Sequence, residues 1–287
     1  MEYGVFLMRV QVGDVRLFFD VDGAKLRPDG PRMREVPTIL MLRGGPGFDH
    51  SVFKPDLSGL VDIAQIVYLD HRGNGRSDRS RPENLNLERW GDDVRAFCDL
   101  LEIERPIVLG ESFGGMVAMA YASRHPDHPG KLILASTAAQ MRFDRSLEVF
   151  ARLGGAQARD AAQRFFDNPS QSMMAEYMQN CLPLYTRRQR SPEWMARSVQ
   201  NVELTSFFFQ GEIRTFNLLP QLARIRCPTL VTVGYMDPIT PMQNSEDIAA
   251  ALPANLVRLE LFKNAGHGVQ RDDPEKFDRV VREFIAS

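Results

Sequence analysis

The residues with the clearest capacity for chemistry are a serine, an aspartate and a histidine, each just past a strand-like run. Ser112 lies at the centre of Gly110-Glu111-Ser112-Phe113-Gly114, between the apolar run Ile107 to Gly110 and the small-residue stretch Met116 to Ser123. A serine at a sharp strand-to-helix turn is pushed into solvent, and glycines two residues to either side remove the Cβ atoms that would collide there. Serine is a weak nucleophile, so it needs a base, and the base needs an acid to orient it. Asp237, in Tyr235-Met236-Asp237-Pro238, follows the run Thr229 to Gly234, and His267, in Asn264-Ala265-Gly266-His267-Gly268, follows the run Leu256 to Phe262. Each alone has a plain alternative, Asp237 as a turn former and His267 as a loop histidine. Three of them at three strand ends are what attack on a carbonyl by an activated serine requires.

Attack on a carbonyl develops a negative oxygen, which needs donors. In Arg43-Gly44-Gly45-Pro46-Gly47, after the run Thr38 to Arg43, successive glycines let backbone N–H groups face the site. The expected donors are the N–H of Phe113, at a helix start where the dipole favours negative charge, and the N–H of Gly45 or, second to it, of Gly44.

The elements that must position these residues follow from hydrophobic spacing. Phe6 to Val12 and Val15 to Val21 read as a hairpin across Gly13-Asp14, and Ala64 to Leu69 as a further strand. Leu87, Trp90, Val94, Phe97 and Leu101 alternate steps of three and four, one face of a helix. Strand and helix then alternate: strand Ile107 to Gly110, helix Gly114 to His125 ended by Pro126, strand Lys131 to Ala135. From about Thr137 to Leu222 the alternation gives way to a helical segment rich in Met, Phe and Arg. It resumes with strand Thr229 to Gly234, helix Met242 to Leu252, strand Leu256 to Phe262 and a helix from about Pro274 to Ile285. This predicts an α/β fold, a mostly parallel sheet flanked by helices. Residues 1–136 and 223–287 would form the core domain and residues 137–222 an inserted helical cap.

With these motifs the chain resembles the α/β-hydrolases, and among them the proline iminopeptidase group. Arg43 to Gly47 matches an HGGPG loop, with Arg43 where the group has His. Asp70-His71-Arg72-Gly73-Asn74-Gly75-Arg76-Ser77 matches D-x-R-G-x-G-x-S, and Ser112, Asp237 and His267 stand in the triad's chain order. The resemblance implies a serine nucleophile, an acyl-enzyme and an aminopeptidase that holds the substrate's free amine with cap-borne acids. Glu203 and Glu212, in the stretch Val202 to Glu212, are the candidates for that anchor, and Phe208 for an apolar pocket wall. Pro238 stands where related members carry an acid, and with Arg43 it favours a second outcome, a carboxylesterase or lactonase acting on a small apolar ester. A third is a ligand-binding protein that keeps the fold without catalysis.

Composition narrows the partners. The 287 residues carry 35 Lys and Arg against 37 Asp and Glu, a net charge of −2, with no basic block to follow a phosphate backbone, so nucleic acid is not expected. Cys98, Cys181 and Cys227 are widely spaced and give neither a disulfide framework nor a zinc ribbon. His125 and His128 sit at a proline-broken helix end without a carboxylate or Cys cluster, and His50 and His71 show no partners, so no metal site is expected. The chemistry requires no cofactor. Glu2 and the interruptions Arg9, Asp14 and Arg16 leave no signal-peptide pattern, and nowhere does an apolar run reach the ~18 residues of a membrane span. The expectation is a cytoplasmic enzyme for a small-molecule or short-peptide substrate, its oligomeric state open.

Overall fold

The computed structural model describes residues 8–188 and 193–287. Strands β1 (Arg9–Val12) and β2 (Val15–Asp22) pair antiparallel as a hairpin, with Val12 opposite Val15. Phe6 and Leu7, included in the expected first strand, lie outside the described residues. A second hairpin, β3 (Leu26–Asp29) and β4 (Arg32–Glu35), forms a two-stranded sheet of its own. Its residues are almost all exposed, so no alternation marks it in the sequence. The remaining strands are β5 (Thr38–Leu42), β6 (Gln65–Leu69), β7 (Ile107–Glu111), β8 (Lys131–Ala135), β9 (Thr229–Gly234) and β10 (Val257–Phe262). They join β1 and β2 in one eight-stranded sheet, ordered β1-β2-β6-β5-β7-β8-β9-β10. From β6 to β10 every neighbour is parallel, and β2 meets β6 antiparallel.

Parallel strands covered on both faces need apolar residues at successive positions, and β5 and β9 are buried throughout. Alternate residues then go to opposite sides of the sheet. Leu40, Leu42, Val108 and Leu134 pack with helices α1 (Leu87–Leu100) and α2 (Phe113–Arg124). Ile39, Met41, Leu109 and Ile133 pack with Phe277, Val280, Val281 and Phe284. In α1, the predicted stripe Leu87, Trp90, Val94 and Phe97 is fully buried, and the Asn86 side chain caps the helix by accepting from Arg89 N.

Between β8 and β9 the chain forms α3 (Phe143–Asp167), α4 (Gln171–Asn180), α5 (Glu193–Arg197), α6 (Val202–Gln210) and α7 (Leu219–Leu222). No strand occurs among the described residues of this segment. It has its own cluster of Phe150, Ala161, Phe165, Phe166, Tyr177 and Cys181. The chain returns through β9, α8 (Met242–Ala251), β10, α9 (Val269–Asp272) and α10 (Pro274–Ala286). No described helix is long and apolar enough to cross a membrane.

The D-x-R-G-x-G-x-S segment becomes a cross-braced turn. One Asp70 carboxylate oxygen accepts from His50 N at 2.8 Å and lies 2.9 Å from His50 Nδ1, while the other accepts from Arg76 N at 2.9 Å. His50 is therefore partnered, contrary to expectation, by a carboxylate 20 residues away in sequence. Ser77 Oγ donates to Asp70 O at 2.6 Å and accepts from Phe18 N at 2.8 Å. The turn also holds the glycine loop after β5, because Asn74 Oδ1 accepts from Gly47 N and Gly75 N donates to Gly47 O.

Arg72 anchors the arrangement. Its guanidinium is fully buried, donates to both oxygens of Asp93 at 2.7 and 2.8 Å, and reaches Asp14 at 2.6 Å. Removing one member of such a pair strands the other charge in the interior. Arg72→Met is expected to lower unfolding free energy by about 3–5 kcal/mol in urea titrations. A loss below about 1 kcal/mol would show that Asp93 finds water or another partner.

Candidate functional site

Ser112 occupies the turn between β7 and α2 with φ 54° and ψ −119°, a region that residues with a Cβ rarely visit. The turn is fixed on every side: Ser112 N donates to Ala135 O at 2.9 Å, and Ser112 O accepts from Gly115 N and from Thr137 Oγ1 at 2.6 Å. Tight approach explains the flanking glycines. A Cβ on Gly114 would lie 1.9 Å from Leu42 O, and one on Gly44 would lie 2.8 Å from Ser112 Cβ.

The three expected residues meet. His267 Nε2 is 3.0 Å from Ser112 Oγ, and His267 Nδ1 is 3.0 and 2.9 Å from the two oxygens of Asp237. Asp237 is fully buried, and its charge is matched by donors: Ile239 N and Thr240 N to one oxygen, Thr240 Oγ1 to the other. Thr240 was absent from the sequence expectation. An aspartate that turns the chain and accepts from residues two and three positions on is a known local pattern, and that spacing was the available signal. Nδ1 donating to Asp237 leaves Nε2 as the acceptor for the serine proton.

The histidine loop is also tied to the helical segment. His267 N donates to Tyr185 O at 2.6 Å, and the Tyr185 ring stands edge-on to the imidazole at 5.7 Å. Asp272 accepts from Gly266 N at 2.8 Å with one oxygen, and from Arg187 N and Arg188 N with the other. Tyr185, Arg187 and Arg188 come from more than 80 residues away, so no local pattern reveals them.

Phe113 N and Gly45 N, the expected oxyanion donors, donate to no oxygen among the described residues, and Gly45 has φ 64°. Beneath them lies a buried ion pair, Arg43 Nη1 to Glu111 Oε2 at 2.9 Å, with Gln270 Nε2 donating to Glu111 Oε1 at 2.9 Å. Burial pushes the Glu111 pKa up, but adjacent Arg43, followed by Arg271, outweighs it and holds the carboxyl below the usual range. The guanidinium stays charged, so the pair is ionic.

The substrate-side candidates are placed as follows. Both Glu212 oxygens accept from Leu87 N, capping α1, at 3.2 and 3.0 Å, and burial raises the carboxyl's pKa despite this bond. Helix α6 rests on the glycine loop: Asn201 N donates to Gly47 O and Thr205 Oγ1 to Pro46 O. At about 100° per residue, Glu203 falls opposite the face formed by Leu204, Thr205 and Phe208, and it is exposed. Phe208 is core, not pocket wall, packed edge-on to Phe113 and Trp90 at 5.1 and 5.9 Å. The three cysteines are free and buried, and burial pushes Cys98 and Cys181 up to about 12 and Cys227 to about 11, which leaves them poor nucleophiles. No group of three or more metal-ligating side chains occurs among the described residues.

Residues 37–274 match the family described as alpha/beta hydrolase fold. The chain belongs to the α/β-hydrolases. Over 93% of its length it is 31% identical to a proline iminopeptidase, PfmaB, of Pestalotiopsis fici, 97% of which is covered. It superposes on the crystal structure of a proline iminopeptidase from Mycobacterium smegmatis with a TM-score of 0.80 at 24% identity, covering 98% of this chain and 97% of that one. An esterase from Exiguobacterium antarcticum gives a TM-score of 0.73 at 20% identity, with 97% and 99% covered. The chain is thus a hydrolase, similar in its glycine loop and its Asp70 to Ser77 turn to the proline iminopeptidase group.

Within this hydrolase, His71 stands apart. It is buried edge-on to Phe113 at 5.8 Å, its Nε2 has no hydrogen-bond partner among the described residues, and burial pushes its pKa down to about 3. Between pH 6.5 and 3 the unfolded chain protonates this histidine and the folded one does not, so stability falls as pH falls through that window. This one group contributes a slope of about 1.4 kcal/mol per pH unit. His71→Gln is expected to flatten the pH dependence of unfolding free energy by that amount between pH 6 and 4. Parallel curves for variant and wild type would show that the native imidazole takes up the proton.

Proposed function

We propose that the protein is a serine hydrolase that cleaves small ester or amide substrates through an acyl-enzyme. The carrying observation is the continuous relay Ser112 Oγ, His267 Nε2, His267 Nδ1 and Asp237, with contacts of 3.0 and 2.9 Å. As Ser112 Oγ bonds to the substrate carbonyl carbon, its proton passes to His267 Nε2. Asp237, held by Thr240 and Ile239, keeps the tautomer and balances the imidazolium. The carbonyl oxygen becomes negative against the N–H groups of Phe113 and Gly45, where losing one donor costs about 10²- to 10³-fold in rate. The leaving amine or alcohol takes the proton from His267. Water, deprotonated by the same imidazole, then releases the acid and restores the serine. The helical segment between β8 and β9, hydrogen-bonded to both the glycine loop and the histidine loop, serves as the cap over this site.

For the substrate, the glycine loop, the Asp70 to Ser77 turn and the 31% identical relative support a proline iminopeptidase-type aminopeptidase. One observation favours a carboxylesterase or lactonase instead. Every carboxylate of residues 137–222 is exposed except Glu176, paired with Arg164, and Glu212, used at α1. No buried acid of the cap is thus free to receive an ammonium. A complete relay argues against a purely ligand-binding role.

A proline arylamide and a short aryl ester should be assayed side by side. Ser112→Ala is expected to lose at least about 10³-fold in kcat on whichever substrate turns over, and Asp237→Asn roughly 10⁴-fold. An alanine variant as fast as wild type on either would refute the nucleophile. Turnover of the ester alone assigns the second reading, and of the arylamide the first.

A further inference from the structure

Glu111 fills the variable place before the nucleophile, and Arg43 stands where the related glycine loop has histidine. In the fold they meet because β5 and β7 are parallel neighbours with Leu42 opposite Gly110, so the next residue on each strand faces the other. Arg43 leads directly into Gly44-Gly45, and Glu111 directly into Ser112. Gln270, three residues beyond His267, supplies the third contact. All three are at least nine-tenths buried.

We propose that Glu111 is a positioning residue that fixes the three catalytic segments against one another, with Arg43 and Gln270 as its two handles. The proposal rests on the reading of Ser112 as nucleophile and deepens it. One carboxylate oxygen holds the loop that carries the Gly45 donor, the other holds the loop that carries the base, and the residue's own backbone carries the nucleophile. Stability alone accounts poorly for this choice. A buried ion pair replaced by apolar side chains of similar volume often costs nothing or stabilises, because desolvation cancels the Coulomb gain. Geometry accounts for it better: a donor or base displaced by about 1 Å costs on the order of 10²-fold in rate. Arg43 also lies over the Phe53 ring at 5.7 Å, a second contact that restrains the guanidinium.

The test separates folding from positioning and needs no knowledge of the substrate. A fluorophosphonate bonds covalently to an activated serine, and its maximal labelling rate and half-saturation concentration can be read separately. Arg43→Met and Glu111→Met alone should each lower Tm by about 6 °C or more, since each strands a buried charge. The double variant should return to within about 3 °C of wild type, yet label with a maximal rate about 10²-fold lower and a half-saturation concentration within threefold. Gln270→Met, which leaves the ion pair in place, should label about 10-fold more slowly at an unchanged Tm. A double variant that regains the wild-type labelling rate along with its Tm, or a Gln270→Met protein labelled as fast as wild type, overturns the proposal. Should neither ion-pair variant fold, the Gln270→Met result decides. Wild-type protein unlabelled at Ser112 would instead refute the nucleophile itself, and the positioning role with it.

Discussion

The backbone at Ser112, with φ 54° and ψ −119°, sits at a conformational cost on the order of 1–3 kcal/mol, so the surrounding structure must over-determine it. The restraints come from three directions. Strand β8 and the residues after it supply Ala135 O and Thr137 Oγ1, and α2 supplies Gly115 N. The third is steric, because Leu42 O and Gly44 close over the turn at distances that admit no Cβ on Gly114 or Gly44. A serine pressed this closely has its hydroxyl directed away from the sheet, toward His267. Much of the core serves the same end. The fully buried β5 and β7, with β8 buried from Leu132 on, provide rigid walls, and α2, buried from Phe113 to Ser123, fixes the direction in which the turn must leave the sheet.

Two buried carboxylates border this turn, and their different partners give them different work. Asp237 receives three hydrogen bonds from residues within three positions of itself, so its charge is stabilised locally and its remaining capacity is turned on His267. Glu111 has no local donor. Its partners, Arg43 after β5 and Gln270 on α9, come from segments 68 and 159 residues away. A carboxylate satisfied locally can orient a neighbour, whereas one satisfied only at long range ties distant segments together.

These physical differences also set what was legible in the sequence. The alternation of strands and helices was readable because burial on both sheet faces forces apolar runs, and the meeting of Ser112, His267 and Asp237 was readable from residue type, chain order and position at strand ends. The β3-β4 hairpin was not, since an exposed hairpin has no face to mark. Glu111 carried no signal, because the letter between Gly110 and Ser112 is free in the motif. His50 looked solitary only because Asp70 reaches it by folding. Tyr185 acts through its backbone carbonyl and Asp272 on backbone N–H groups, which every residue possesses, so composition cannot announce these contacts. Glu212 was misread for a related reason: an acid that caps a distant helix start looks, in one dimension, like an acid waiting for a cation.

That misreading bears on specificity. An ammonium brought into a closed apolar site needs a carboxylate within a few ångströms, because an unpaired buried charge is far more costly than the contacts it displaces. The segment between β8 and β9 has its two less exposed acids already partnered, Glu176 with Arg164 and Glu212 with Leu87 N, and turns Glu203 away from the glycine loop. What it offers the relay is Tyr185, edge-on to His267 and hydrogen-bonded through its hydroxyl to Tyr177. An aromatic edge of this kind shields the imidazole from water without supplying countercharge. A neutral acyl group meets that surface at little electrostatic cost, while a charged amine must keep its hydration or bring its own partner. In this chain, then, the buried core holds Ser112, His267 and Asp237 together, and the acids of residues 137–222 are either exposed or already partnered at Arg164 and Leu87 N.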